Sequence, residues 1–333
     1  MSSEENLPEE MGFTGQDARP APEIVAGYAI QDNDFSTMRE LITSGQISLE
    51  PDEYGNSFLH QAAANASPEM IKMLITMGAN MHVRNENGMT PYEVSMTSWN
   101  AEGLNGFLDA GLSLDAKGSQ NMTLPLEVAA LADWQTMETF LQKTGVDVNY
   151  TDETGYSLVH AACAQGNLGA LTTLMNKGAR ADQKDMVAST PLHRLVAYRH
   201  LAAERELGVD RLIYMGADLN AQDNKGKTPM HIAVQFGAPR LVKKLINEGA
   251  DVNIKDQEGK TPMDRLEDTI RLSVPGSERY NELMEIKKTL QDAGGKSGAQ
   301  MGFVAALREA ARAELTEDSK EQRMPRFDNE RQA

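Results

Sequence analysis

Six histidines and a single cysteine are the residues of this 333-residue chain that invite a chemical reading first. His160 and Cys163 stand three apart, so on a helix they share one face, and a Cys/His pair at that spacing is the raw material of a nucleophilic site. Such a site needs a third group to orient the imidazole, and none is apparent; a small, partly buried thiol is the simpler reading of Cys163. His82 and His200 stand alone, with no HExxH or paired-ligand spacing. Gly294-Gly-Lys-Ser297 resembles the end of a phosphate loop, but Leu290 occupies the place where that motif needs its first glycine. Asn65-Ala-Ser67 and Asn121-Met-Thr123 fit a glycosylation triplet, which carries little weight without an export signal. No carboxylate pair stands out. The expectation is no catalytic residue, no metal site and no cofactor.

The elements that hold these residues follow a period. A Thr-Pro-Leu-His landmark starts at Ser57, Thr90, Leu124, Ser157, Thr190, Thr228 and Thr261, in steps of 33, 34, 33, 33, 38 and 33 residues. A glycine landmark, clearest in Gly249-Ala-Asp-Val-Asn253, recurs at Gly45, Gly78, Gly111, Gly145, Gly178, Gly216 and Gly249 with the same period and the same five-residue insertion. Each landmark has a local reason. Asp or Asn followed by Gly, as in Asp223 and Gly226, suits a tight turn with positive φ. Thr caps the free N–H groups of a helix whose first turn tolerates Pro. Ala pairs such as Ala161-Ala162 allow close helix approach, Leu/Ile pairs such as Leu245-Ile246 fill the space between layers, and the terminal Gly closes the second helix. A unit of helix, turn, helix and hairpin loop cannot bury its apolar face alone, but a stack can.

These motifs resemble the ankyrin-repeat family over roughly residues 23–295, as about eight repeats. The resemblance implies an all-α ankyrin-repeat solenoid. It also implies a packing role for His60, His160, His193 and His231, which hold the repeat's own His position and brace turn backbones. The first unit lacks Thr-Pro and His, as a cap would. The third and fourth units carry Glu93 and Glu127 in place of His, and the fourth has a poor turn near Gly118. The sixth holds its extra residues within Tyr198–Asp210, and the last ends in a charged helix from about Glu278 to Asp292. Residues 1–22 read as a disordered acidic arm closed by Pro20-Ala-Pro22, 293–299 as a flexible linker, 300–316 as an extra amphipathic C-terminal helix, and the remainder as a polar tail. The third domain is thus 296–333.

Formal net charge is −17, which disfavours a nucleic-acid partner. Residues 23–150 carry seventeen acidic and five basic side chains, whereas 151–295 carry twenty and nineteen, so the front half is the acidic half. That field favours encounter with a basic protein. No run of eighteen apolar residues appears, so no membrane insertion is expected. The acidic, polar start is unlike a secretory leader, and one cysteine permits no internal disulfide; a reducing, cytoplasmic setting is expected, with export into a host cell as the alternative.

In the family, partners meet the concave face made by hairpin tips and the inward side of each first helix. The frame puts there Glu53, Tyr54, Asn56, Asn65, Asn87, Met89, Ser98, Gln120, Asn121, Thr154, Tyr156, Gln165, Met186, Tyr198, Lys225, Lys227, Gln235 and Phe236. Tyr54, Tyr156, Tyr198 and Phe236 are expected to be exposed, while Trp99 and Trp134 are expected to pack between repeats. The function that follows is a protein-binding scaffold or inhibitor with a basic partner. A bacterial effector and a Cys/His enzyme are the alternatives.

Overall fold

The computed structural model describes residues 20–118, 120–198 and 202–304. They form helix pairs joined by hairpin loops, in two compact units divided between Ser113 and Leu114. The described residues contain no named strand, only isolated antiparallel bridges at Lys117–Thr123 and Thr151–Ser157. This is the all-α repeat fold that the period implies.

The first unit holds α1 (Pro22–Gln31), α2 (Phe35–Thr43), α3 (Phe58–Asn65), α4 (Pro68–Thr76), α5 (Pro91–Thr97) and α6 (Ala101–Asp109). The first helices of its repeats stack as α1, α3 and α5, and α4 packs on α6. Pro22, read as the end of an arm, instead opens α1 at its first turn, where a missing N–H costs nothing. Residues 1–19 of the expected arm lie outside the described residues. Apolar spacing within each helix supplies the core: Leu59, Met70, Ile71, Leu74, Tyr92, Met96, Leu104 and Phe107 are all fully buried. Helix approach is close enough that a Cβ on Gly106 would stand 2.8 Å from the Pro68 carbonyl oxygen.

The second unit holds α7 (Leu124–Leu131), α8 (Trp134–Thr144), α9 (Leu158–Gln165), α10 (Leu168–Asn176), α11 (Pro191–Ala197), α12 (Ala202–Tyr214), α13 (Pro229–Phe236), α14 (Pro239–Asn247), α15 (Pro262–Arg271) and α16 (Glu278–Asp292). Here α9 lies between α7 and α11, and α13 between α11 and α15. The five-residue insertion lengthens the second helix of its repeat: α12 has 13 residues where α10 and α14 have 9. The fourth repeat departs by one residue from the frame read in the sequence. Its N-cap is Thr123, not Leu124, and its left-handed turn residue is Asn121 (φ 56°).

The stretch 293–299 is tied to the last repeat. Lys296 N donates to Asn253 Oδ1 (2.8 Å), as Asp251 N does to Asn220 Oδ1 (2.8 Å) one repeat earlier. Thr261 Oγ1 donates to the Lys296 carbonyl (2.8 Å), and Gly298 N donates to Asp264 Oδ2 (2.8 Å). The segment therefore sits where the loop of a following repeat would sit. Residues 298–304 are helical, and the rest of the expected C-terminal helix and tail lies outside the described residues.

Candidate protein-binding face

The face is built on a hydrogen-bond device that recurs along the repeats. The turn carboxylate or amide accepts two backbone N–H groups. Asp52 Oδ1 takes those of Tyr54 (2.9 Å) and Asn56 (2.8 Å), and Asp223 Oδ1 those of Lys225 and Lys227 (both 2.8 Å). Asn85 does the same for Asn87 and Met89, and Asp152 for Thr154 and Tyr156. Gly55 allows the turn with φ 76°, and a Cβ there would lie 2.5 Å from the Arg84 carbonyl oxygen of the next hairpin. Adjacent tips are then joined by single rungs: Glu86 N to Tyr54 O (2.8 Å), Met186 N to Thr154 O (2.7 Å) and Gln257 N to Lys225 O (3.0 Å).

The four repeat histidines lock each first helix to the following hairpin. In each, Nδ1 faces the backbone N–H of the N-cap residue at 3.1 Å. A backbone N–H can only donate, so Nδ1 accepts and the ring proton resides on Nε2. Nε2 then donates to a carbonyl of the next repeat: Met89 (3.0 Å), Ser189 (2.9 Å), Lys227 (3.0 Å) and Lys260 (3.1 Å). Burial holds all four imidazoles below their ordinary pKa. Glu93 fills the same place in α5, accepting from Thr90 N and Thr90 Oγ1 (2.7 and 2.8 Å). His160 thus has both nitrogens engaged, and burial pushes the fully enclosed Cys163 thiol up. Neither group is set for nucleophilic attack. His82 lies edge-on to Tyr92, and His200 lies outside the described residues.

The sequence-derived face residues divide by exposure. Glu53, Tyr54, Asn65, Asn87, Ser98, Gln120, Asn121, Gln165, Met186, Lys225 and Gln235 are exposed, whereas Asn56, Met89, Thr154 and Lys227 are half-buried. Besides the Met186–Thr154 rung, the structure joins two pairs through their side chains: Gln165 Nε2 donates to Gln120 Oε1 (3.1 Å) and Lys227 Nζ to Gln235 Oε1 (3.2 Å).

Three of the four expected exposed aromatics are covered. Tyr156 stacks on His160 at 5.1 Å, lies under the Arg194 guanidinium, and donates its hydroxyl to the His160 carbonyl (3.3 Å). Burial pushes its phenol up to about 12. Tyr198 is half-buried over Gly166, and Phe236 is half-buried next to its own helix terminus, where Arg279 Nη2 donates to the Gln235 carbonyl (2.8 Å). Only Tyr54, 55% exposed, stands free as expected.

The tryptophans reverse the expectation. Trp99 is 75% exposed and Trp134 is 60% exposed. Trp99 also has φ 59°, in the left-handed region. Nine residues after the N-cap, it occupies the position filled in sister repeats by Gly166 (φ 65°) and Gly237 (φ 63°). That alignment was the available sequence signal: a bulky residue standing where the turn asks for glycine.

Comparison with known proteins agrees with this geometry. The family profile described as ankyrin repeats (many copies) matches residues 212–266, and the ankyrin repeat profile matches residues 54–83. Together with the period and the helix pairs, these matches support an ankyrin-repeat family for the chain. It is 25% identical over 225 residues to the human transient receptor potential cation channel subfamily A member 1, covering 65% of this chain and 17% of the channel. It is 32% identical to human Rabankyrin-5 over 36% of this chain and 11% of that protein. It is 28% identical to human ankyrin repeat and SOCS box protein 16 over 59% of this chain and 44% of that protein. The chain therefore spans less than half the length of each of these relatives. Ankyrin repeats are typically non-catalytic interaction modules, and the role they support here is protein–protein interaction. Among the described residues no helix is long and apolar enough to cross a membrane.

Proposed function

We propose that this protein is a cytoplasmic scaffold or inhibitor that grips a basic protein partner through its hairpin tips and the ends of its first helices, without turnover. The observation that carries the reading is Trp99: a large apolar side chain, three-quarters exposed, in a backbone conformation that its sister repeats assign to glycine. A β-carbon in the left-handed region costs roughly 1–2 kcal/mol. A residue that carries this cost and keeps three-quarters of its surface in water is explained by what it contacts outside. Tryptophan and tyrosine are the side chains that most often dominate interfaces, and Tyr54 is a second exposed aromatic of the same unit. With Cys163 the single cysteine, free and buried, the fold uses no internal disulfide, which fits a reducing compartment.

The test compares capture of partners by wild type and by Trp99→Gly, with bound proteins identified by mass spectrometry and affinity measured on the purified pair. The variant is expected to fold at least as stably and to lose 10-fold or more in affinity. Unchanged affinity in the folded variant removes Trp99 and the face built on it.

A further inference from the structure

Two repeats of the second unit show how this fold treats a turn aspartate whose second oxygen is left over. Asp256 Oδ1 accepts the N–H groups of Glu258 (2.9 Å) and Lys260 (3.0 Å), and its Oδ2 accepts from Arg265 Nε (2.7 Å). Asp185 uses Oδ1 for Val187 and Ser189 in the same way, and Arg194 meets its Oδ2. In both cases the arginine is nine residues beyond the aspartate, on the first helix of the same repeat. The guanidinium covers the carboxylate, and Asp185 and Asp256 are 7% and 5% exposed.

The repeat around Asp52 has the same turn and no such arginine. Oδ1 holds its two N–H groups, while position 61, nine residues on, is glutamine, and Asp52 is exposed. A groove of about 700 Å³ opens at that point. Its walls include Glu23, Glu50 and Asp52 beside the apolar Phe58 and Val94, with Gln61 among them and neither Lys nor Arg. Among the described residues none of these three carboxylates forms a salt bridge. The groove at the matching place around Asp223 differs, because Arg194, Lys225 and Lys227 line it. That groove already carries cations of its own chain.

We infer that the groove around Asp52 receives an arginine side chain of a partner protein, its guanidinium on Asp52 Oδ2 as Arg265 sits on Asp256 and its methylenes along Phe58 and Val94. The planar fork matches a carboxylate better than an ammonium does, and the two additional carboxylates raise selectivity for a cation. This deepens the partner reading above and rests on it.

The probe is N-acetyl-arginine amide, titrated into the full-length ¹⁵N-labelled protein, with N-acetyl-citrulline amide as the uncharged isostere. Saturable shifts are expected at the amides of Asp52, Asn56 and Gln61, at least 10-fold weaker with citrulline. Gln61→Arg, which supplies the internal guanidinium, should abolish them. Asp52→Asn should do so too, and Asn85 shows that asparagine supports this turn. Equal response to citrulline, shifts that survive both folded variants, or no saturable shift at these amides each overturn the inference. If wild type captures a protein partner through Trp99 while the arginine titration is silent, the groove assignment falls and the interaction reading stands. Specific arginine shifts together with partner capture indifferent to Trp99→Gly would do the reverse.

Discussion

At the scale of single residues, the histidines make an unusually uniform set. Each donates across a repeat boundary through Nε2 and accepts through Nδ1, so a second proton on the ring would replace an accepting nitrogen with a donor facing an N–H. Their folded pKa values lie below the ordinary 6.5, mainly through burial. The unfolded chain therefore takes up protons first as pH falls, and folding stability must fall with it. The full contribution is present above about pH 6.5 and is lost progressively below it, at up to about 1.4 kcal/mol per pH unit for each histidine. Urea midpoints measured at pH 7.5, 6.5 and 5.5 should decline over the last interval, before most carboxylates titrate. A flat profile would contradict the assigned tautomer. Trp99 gives a second prediction at this scale. Trp99→Gly should raise stability by roughly 1 kcal/mol in urea unfolding, because glycine carries no β-carbon penalty in the left-handed region. Tyr54→Ala, at an exposed tip, should change stability by about 0.5 kcal/mol or less while weakening partner binding. The packing role of His60, His160, His193 and His231 was legible from the sequence because one frame position dictates both of their contacts. The exposure of Trp99 and the cover over Tyr156 were not, since each depends on which neighbour reaches across: Arg194 and His160 over Tyr156, and nothing comparable over Trp99.

Among the elements, the turn between the two helices of a repeat forms a second inter-repeat joint. Asn167 caps α10 by accepting from Ala170 N (3.0 Å), and its Nδ2 reaches back to the carbonyls of Ala129, Ala130 and Ala132, the nearest at 2.7 Å. Asn100 does the same for Ala63 and Ala66 at the start of α6. These carbonyls end a helix and have no internal donor. Asn167→Ala therefore removes a cap and strands partly buried acceptors at once, and should cost about 1–3 kcal/mol in urea unfolding. A loss below 0.5 kcal/mol would mean that water replaces the amide fully. Helix boundaries were readable wherever a hydroxyl cap, a proline and a positive-φ glycine agreed, as at Thr228, Pro229 and Gly226. They slipped where the signals disagreed. In the fourth repeat Thr123 and Leu124-Pro125 compete for the cap position, and Asn121 takes the left-handed site without a glycine to announce it. The joint formed by Lys296 and Gly298 was invisible for a related reason: a Gly-rich composition reads as a linker, and only the preceding repeat's Asn253, Thr261 and Asp264 reveal what it docks on.

Across the whole molecule the decisive asymmetry is charge. Residues 20–113 carry twelve acidic and three basic side chains, while residues 114–304 carry twenty-five and twenty-two. The second stretch spends its cations internally, on contacts such as Arg265 with Asp256 and Glu258, Lys260 with Asp268, and Lys177 with Glu138. The first has Arg84 beside Glu93 and few other cations to neutralise its surface. An exposed net charge of one sign accelerates association with the opposite sign and acts over about 10 Å at 0.1 M salt, so its contribution fades as salt rises. Aromatic contacts do not fade in the same way. If both act on one face, the two terms separate experimentally. Raising salt from 50 to 500 mM should slow association with the partner by 10-fold or more and change dissociation little. Trp99→Gly should speed dissociation and leave the salt dependence of association intact. Neutralising Glu23, Glu50 and Glu53 together to glutamine should flatten that salt dependence without moving the unfolding midpoint, since among the described residues none of the three exposed carboxylates forms a salt bridge or a side-chain hydrogen bond. Association rates indifferent to salt in the wild type would remove the acidic surface from recognition and leave the exposed aromatics to account for it alone.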